Sequence, residues 1–229
     1  MTLTPLEAEA LVRSLQVSFA AVAVSLPVGI AAGWLLARRE FPGKSLVDGL
    51  VHLPLVLPPV VVGYLLLVGL GRNSAVGGVL DAIGLPLAFH ARGAVLASAV
   101  VAFPLMVRAI RLSVESIDPG LEEAARTLGA APLRVFATIT LPLAAPGILA
   151  GAILAFARAF SEFGATITFV ASIPGQTRTL PLALYGLTQV PGQEAAAARL
   201  CALSVAVAFA TLLASEALAR RVRASTRGE

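Results

Sequence analysis

Apolar residues along the chain gather into five long runs separated by short, more polar segments. Leu15 to Ala37 is broken by no charge, and Leu50 to Gly71 carries only His52 near its start. Gly93 to Val107 continues into a more polar stretch with Arg108 and Arg111. Pro146 to Ala165 contains Arg158 and Glu162, and Ala195 to Ala219 has Arg199 and Glu216 near its ends. A membrane-crossing helix needs roughly 20 mostly apolar residues, so the pattern predicts an all-α membrane protein with five spans, at about 15–37, 50–71, 93–112, 146–165 and 195–219. None of the runs alternates polar and apolar positions as a barrel strand must.

Composition agrees: 58% of the 229 residues are hydrophobic and 13% charged, whereas soluble domains carry about 25% charge. A chain this short has too little interior to hide the excess. Lys and Arg then orient the spans. One set of connections holds Arg38, Arg39 and Lys44, then Arg108, Arg111, Arg126 and Arg134, then Arg220, Arg221, Arg223 and Arg227; the other holds Arg13, Arg72, Arg92, Arg178 and Arg199. The first set belongs in the cytoplasm, so the amino terminus is expected outside and the carboxy terminus inside, with residues 220–229 a basic cytoplasmic tail. The net charge of +4 fringes the spans and meets lipid headgroups, and no segment has the make-up of a nucleic-acid module. With Glu7 and Glu9 before an overlong apolar run, the amino terminus does not read as a signal peptide. His52, His90 and the single cysteine, Cys201, are isolated, so no metal site is expected.

Three features suggest how the spans pack. Gly29 and Gly33, and Gly147 and Gly151, are pairs four apart that let helix backbones approach. Prolines 54, 58 and 59 bend the second span, either to line a pathway or to pack. Segments 72–92 and 172–194 are outside connections: ordinary loops, re-entrant turns, or docking places for an extracytoplasmic partner.

The segment 113–145 is polar enough to leave the membrane yet carries structure signals. Asp118 before Pro119 starts a helix, with Glu122 and Glu123 at its positive end. Gly129 ends it in a left-handed conformation. Pro132 opens a second short helix with Leu133, Val135, Phe136 and Ile139, and Pro142 and Pro146 close the segment before the fourth span. A helix-turn-helix on the cytoplasmic face is expected.

Here the residues resemble a known family. Glu123-Ala-Ala-Arg-Thr-Leu-Gly129, followed by Ile139-Thr-Leu141-Pro142, is similar to the EAA loop of ABC importer permeases. The resemblance implies a type I importer permease fold over residues 11–219, with Glu123, Ala124, Ala125, Gly129, Ile139, Leu141 and Pro142 forming the loop that couples to an ATP-binding subunit. Small Ala124 and Ala125 let such a helix sit close to a partner, and Gly129 lets the chain reverse. Gly43-Lys44-Ser45 imitates the end of a P-loop, but that loop needs a glycine where Arg38 stands. ATP and Mg are therefore expected on a separate ATPase, with no cofactor on this chain.

Residues 11–221 further resemble the shorter, five-span molybdate permeases of bacterial importers. The likeness lies in Phe41-Pro-Gly-Lys44, Leu53-Pro-Leu-Val-Leu-Pro-Pro-Val-Val-Val-Gly-Tyr64, Phe103-Pro-Leu-Met-Val-Arg-Ala-Ile-Arg111, Ala155-Phe-Ala-Arg158, Glu162-Phe-Gly-Ala-Thr-Ile-Thr-Phe-Val170 and Ile173-Pro-Gly-Gln-Thr-Arg178-Thr. Sulfate, thiosulfate and tungstate permeases share parts of it, above all Glu162-Phe-Gly-Ala. The implied machine is a permease homodimer in membrane lipid with two ATP-binding cassette subunits inside and a molybdate-binding protein outside. Arg158, Glu162, Gly164, Pro58 and Pro59 are the candidate pathway or packing residues. Arg158 and Glu162, four apart, read either as an ion pair that fixes helix packing or as a cation that helps an anion pass, with the carboxylate preventing tight binding. A secondary transporter would show internal repeats and matching broken helices, and a membrane enzyme a catalytic constellation; neither is evident.

Overall fold

The computed structural model describes residues 4–227, with side chains of the last helix described to Thr211 and at Leu213. Of the basic tail, residues 228–229 and the side chains of Arg220, Arg221, Arg223 and Arg227 lie outside the described residues. All regular structure among the described residues is helical. The helices are α1 (Pro5–Arg38), α2 (Lys44–Val56), α3 (Pro59–Leu70), α4 (Ala75–Ala82), α5 (Ala91–Glu115), α6 (Pro119–Thr127), α7 (Pro132–Val135), α8 (Leu141–Phe160), α9 (Gly164–Val170), α10 (Leu180–Thr188) and α11 (Glu194–Arg227). Pro5–Arg38, Ala91–Glu115, Pro132–Phe160 and Glu194–Thr211 are each long and apolar enough to cross a membrane, and α2 with α3 forms a fifth, broken element bent by 115°.

That break corrects the second expected span, 50–71, which is not one helix. Leu57 and Pro58 are extended, because a residue before proline is pushed out of the helical region. Pro59 then restarts the chain at the first turn of α3, where its missing N–H costs nothing. The fourth span also differs from 146–165. It runs unbroken from Pro132, so Pro142 and Pro146 lie inside a helix rather than closing a segment before one. The join is a π-turn at Phe136–Thr140, in which the Leu141 N–H reaches back to the Phe136 carbonyl. Pro142 has no N–H for the Thr138 carbonyl and its ring crowds that oxygen, and the wider turn relieves both. At the other end the helix stops at Phe160, short of Glu162. Segments 72–92 and 172–194 are not plain loops, since each carries a short helix, α4 or α10. α1 starts earlier than expected, at a capping box in which Thr4 and Glu7 satisfy each other's backbone N–H groups at 3.3 and 2.8 Å.

Helix α5 is the centre of the molecule. Met106, Val107 and Ile110 on it are completely buried, and α1 and α8 close over it from two sides. Gly29 and Gly33 of α1 lie against Met106 and Ile110, where an added Cβ would come within 2.7 and 2.8 Å of their side chains. Gly151 of α8 lies against the Met106 carbonyl, 2.9 Å from where its Cβ would be, and Gly147 against Ser113. Both predicted glycine pairs thus grip one helix. By contrast, Phe19, Val24 and Val28 of α1 and Tyr64, Leu65 and Val68 of α3 are exposed on the protomer, as surfaces that meet lipid or another protein must be.

Gly151→Leu forces a side chain into the Met106 backbone. Overpacking of this kind costs roughly 1–3 kcal/mol, so the variant is expected to melt earlier in detergent than the parent. Gly49→Ala, at a position inside α2 with nothing within 4 Å, should not lower the melting temperature, since Ala favours a helix over Gly, and equal melting of the two variants would contradict the clasp.

Candidate functional site

Two groups of residues carry candidate function, one at each end of α8, whose 20 residues separate them by about 30 Å. The first is the polar segment between α5 and α8. Asp118 caps α6 by accepting from the Gly120 N–H at 2.9 Å, as its position before Pro119 predicts. Gly129 closes α6 with φ 84°. The Ala130 N–H donates to the Ala125 carbonyl at 3.0 Å and the Gly129 N–H to Arg126 at 2.9 Å, the two bonds of a Schellman ending.

What holds α6 to the body is a contact that no local pattern in the sequence signals. Glu122 is buried, and its Oε1 accepts from Arg38 Nε at 3.2 Å and from the Thr140 hydroxyl at 2.8 Å. Arg38 also donates to the Ile117 carbonyl at 2.9 Å, and Arg126 stands 3.7 Å from Oε2. One carboxylate therefore ties the segment to the end of α1 and to the π-turn that leads into α8. Sequence reading gives Glu122 to the helix dipole and Arg38 to topology. The i,i+4 pair Glu122 and Arg126 is the only local hint of a shared face, since Arg38 lies 84 residues away.

With Glu122 turned inward, the rest of α6 faces out. Glu123 and Ala124 are exposed, Ala125 is half-buried, and Leu121, Leu128 and Leu133 present apolar surface at 49%, 88% and 78% exposure. An outward face of leucines with small neighbours suits a protein partner. Ile139, Leu141 and Pro142 are not on this face; they belong to the π-turn and the first turn of α8, where they shape the join.

The second group sits where two helix breaks meet. Glu162 lies in the gap between α8 and α9, with 1% of its side chain exposed and Oε2 2.7 Å from Arg158 Nη1. The approach is an ion pair by distance but is not aligned as a hydrogen bond. Oε1 accepts from the Ala165 N–H at 2.7 Å and so caps α9. The expected pairing of Arg158 with Glu162 is present, although Glu162 is off the helix. Gly164 presses on the other break: its Cβ would stand 2.8 Å from Pro59 Cβ and 3.1 Å from the Val60 nitrogen. One turn on, Gly63 meets the Ala165 backbone. Of the predicted pathway residues, Arg158, Glu162, Gly164 and Pro59 are gathered here, while Pro58 is exposed at the bend. Among the described residues, no group of three or more His, Cys, Asp or Glu side chains is placed to hold a metal ion.

Comparison with known proteins fits this arrangement. Residues 25–224 match the family model described as the inner-membrane component of binding-protein-dependent transport systems. The chain is 62% identical over 221 residues to a molybdenum transport system permease protein of Escherichia coli K12, covering 96% of each. It is 36% identical over 173 residues to a sulfate transport system permease protein of Synechocystis, covering 74% of this chain and 63% of that one. Among solved structures, an inward-facing methionine ABC transporter shares the fold with a TM-score of 0.75 at 18% identity, over 95% of this chain and 96% of that one.

Glu122→Gln removes the charge that Arg38 and Thr140 share and leaves buried donors underused, a cost of about 1–3 kcal/mol. Amide exchange in residues 119–130 is expected to quicken accordingly, whereas Glu123→Gln should leave it unchanged. The same exchange rates in both variants would refute the anchoring role.

Proposed function

Because the chain belongs to the family of binding-protein-dependent transport inner-membrane components, a family of multi-pass permeases, we propose that it forms the membrane route of an ATP-driven importer whose cargo is molybdate. The observation that carries the cargo is the 62% identity, end to end, to the E. coli molybdenum permease; the sulfate relative is far more distant. Tungstate, a tetrahedral dianion of similar size, is the competitor that the residues do not separate from molybdate.

The working unit is a homodimer with the amino termini outside. Two ATP-binding cassette subunits, which hold the ATP and Mg, seat on the outward faces of the paired α6 helices through Glu123, Ala124, Ala125 and the exposed leucines. A binding protein delivers the anion outside. ATP binding draws the ATPases together and moves α6. The Glu122 anchor passes that motion to α1 and, through the π-turn, to α8; at the far end of α8 the two helix breaks, around Pro58 and Glu162, give the route places to hinge. Arg158 supplies a cation near that hinge, and its pairing with Glu162 limits how firmly it holds an anion, which a route must release.

The test is ATP-dependent uptake of labelled molybdate into proteoliposomes holding the chain, its ATPase and its binding protein. Block by tungstate with little effect of sulfate is expected. Equal suppression by sulfate would make this a broader oxyanion permease, and no ATP-dependent uptake of any of the three by an assembled complex would refute the cargo. Arg158→Ala leaves Glu162 without its partner, a cost of roughly 3–5 kcal/mol for a buried charge, and is expected to impair uptake. Unchanged uptake at a normal protein level would reject both the packing and the pathway role of Arg158.

A further inference from the structure

Beside the Glu122 anchor, between the end of α1 and the α6–α7 turn, lies a cleft of about 320 Å³. Ala31, Trp34, Leu133 and Phe136 give it an apolar wall, and Arg39 and Arg126 also line it. Trp34 stands edge-on to Phe136 at 5.8 Å, and the Arg39 guanidinium lies 5.7 Å from the Trp34 ring centre. Glu122 is engaged by Arg38 and Thr140. Among the described residues no carboxylate pairs with Arg39, and Arg126 has only its 3.7 Å approach to Glu122. The cleft therefore offers two exposed cations above a greasy floor.

Depth decides what fits. Ala31 lies eight residues before Arg39, about 12 Å along the helix. If Arg38 and Arg39 mark the headgroup level, as basic residues at a cytoplasmic span end do, Ala31 lies within the hydrocarbon. A soluble ATPase does not reach there; an acyl chain does. We infer that this cleft holds one anionic phospholipid, its phosphate between Arg39 and Arg126 and a chain along Ala31, Trp34 and Phe136. The inference rests on the cytoplasmic placement of this end in the proposed function. A lipid bound so would bridge α1 to the coupling helix next to the Glu122 anchor and make the stiffness of that joint depend on membrane composition.

Trp34 is the single tryptophan of the chain, so its fluorescence reports on the cleft directly. The full-length permease is placed in phosphatidylcholine nanodiscs, and brominated phosphatidylglycerol or brominated phosphatidylcholine is titrated in as quencher. Each basic group near an anionic lipid is worth roughly a fivefold gain in binding. Brominated phosphatidylglycerol should therefore quench at a mole fraction at least about fivefold lower than brominated phosphatidylcholine, and Arg39→Gln with Arg126→Gln should remove the difference. Equal quenching by the two lipids in the parent chain would mean that Trp34 merely faces bulk lipid. Absence of quenching by either would mean that protein fills the cleft, and a preference that survives the double substitution would place the lipid elsewhere; each overturns the inference. The measurement needs neither ATPase nor cargo, so it stands or falls separately from the transport assignment.

Discussion

Close approach to the backbone of α5 is the constraint on which the structure depends. In lipid there is no hydrophobic force to drive one apolar helix against another, so packing must come from fit. Gly29 and Gly33 on one side, and Gly147 and Gly151 on the other, remove the side chains that would hold α1 and α8 away. The three helices then form a block whose centre, Met106, Val107 and Ile110, is sealed. Everything that bears on function is attached to this block or breaks away from it.

The attachments are polar and few. At the polar end, one carboxylate, Glu122, collects α6, α1 and the start of α8. A motion imposed on α6 has no slack to lose before it reaches two spans. At the far end of α8, α3 and α9 lie backbone to backbone through Gly63 and Gly164, and each is severed from the helix before it. The α3–α9 unit packs on α5 through Phe169 and Val170, but both of its helices follow interrupted backbone, whereas α1, α5 and α8 are continuous. Rigidity and freedom are distributed along the chain by the placement of glycine and proline.

How much of this is legible in the sequence depends on the range of the interaction. The Asp118 cap and the left-handed Gly129 are set by neighbours within a turn or two, and the structure has them where the residues place them; the apolar runs are all helical, but the second is broken at Leu57–Pro58 and the fourth begins at Pro132. Proline announces a bend but not its size: Pro58 and Pro59 turn the chain by 115°, whereas Pro27, Pro104 and Pro146 sit inside continuous helices. Adjacent prolines differ because the first is forced extended by the second. The Arg158–Glu162 pair is local and was visible, but the helix end between them was not. The Glu122 anchor was invisible because its partners are remote in sequence and each has an ordinary local explanation. The two glycine pairs were visible, yet their common partner, α5, was not, since spacing names a face and not what lies against it.

The π-turn at Phe136–Thr140 has a consequence for angle rather than for strength. Each residue of an α-helix turns the chain by about 100°, and a π-turn takes one extra residue into a single revolution, so everything after it is set back by about that much from where an uninterrupted α-helix would put it. The direction in which Leu133 and the α6–α7 turn point is in this way offset from the direction in which α8 meets α5. The join works as a key cut between two shafts: tightening it into an α-turn with the sequence unchanged would keep the contacts within each helix, yet swing the docking face about a quarter-turn away from its partner.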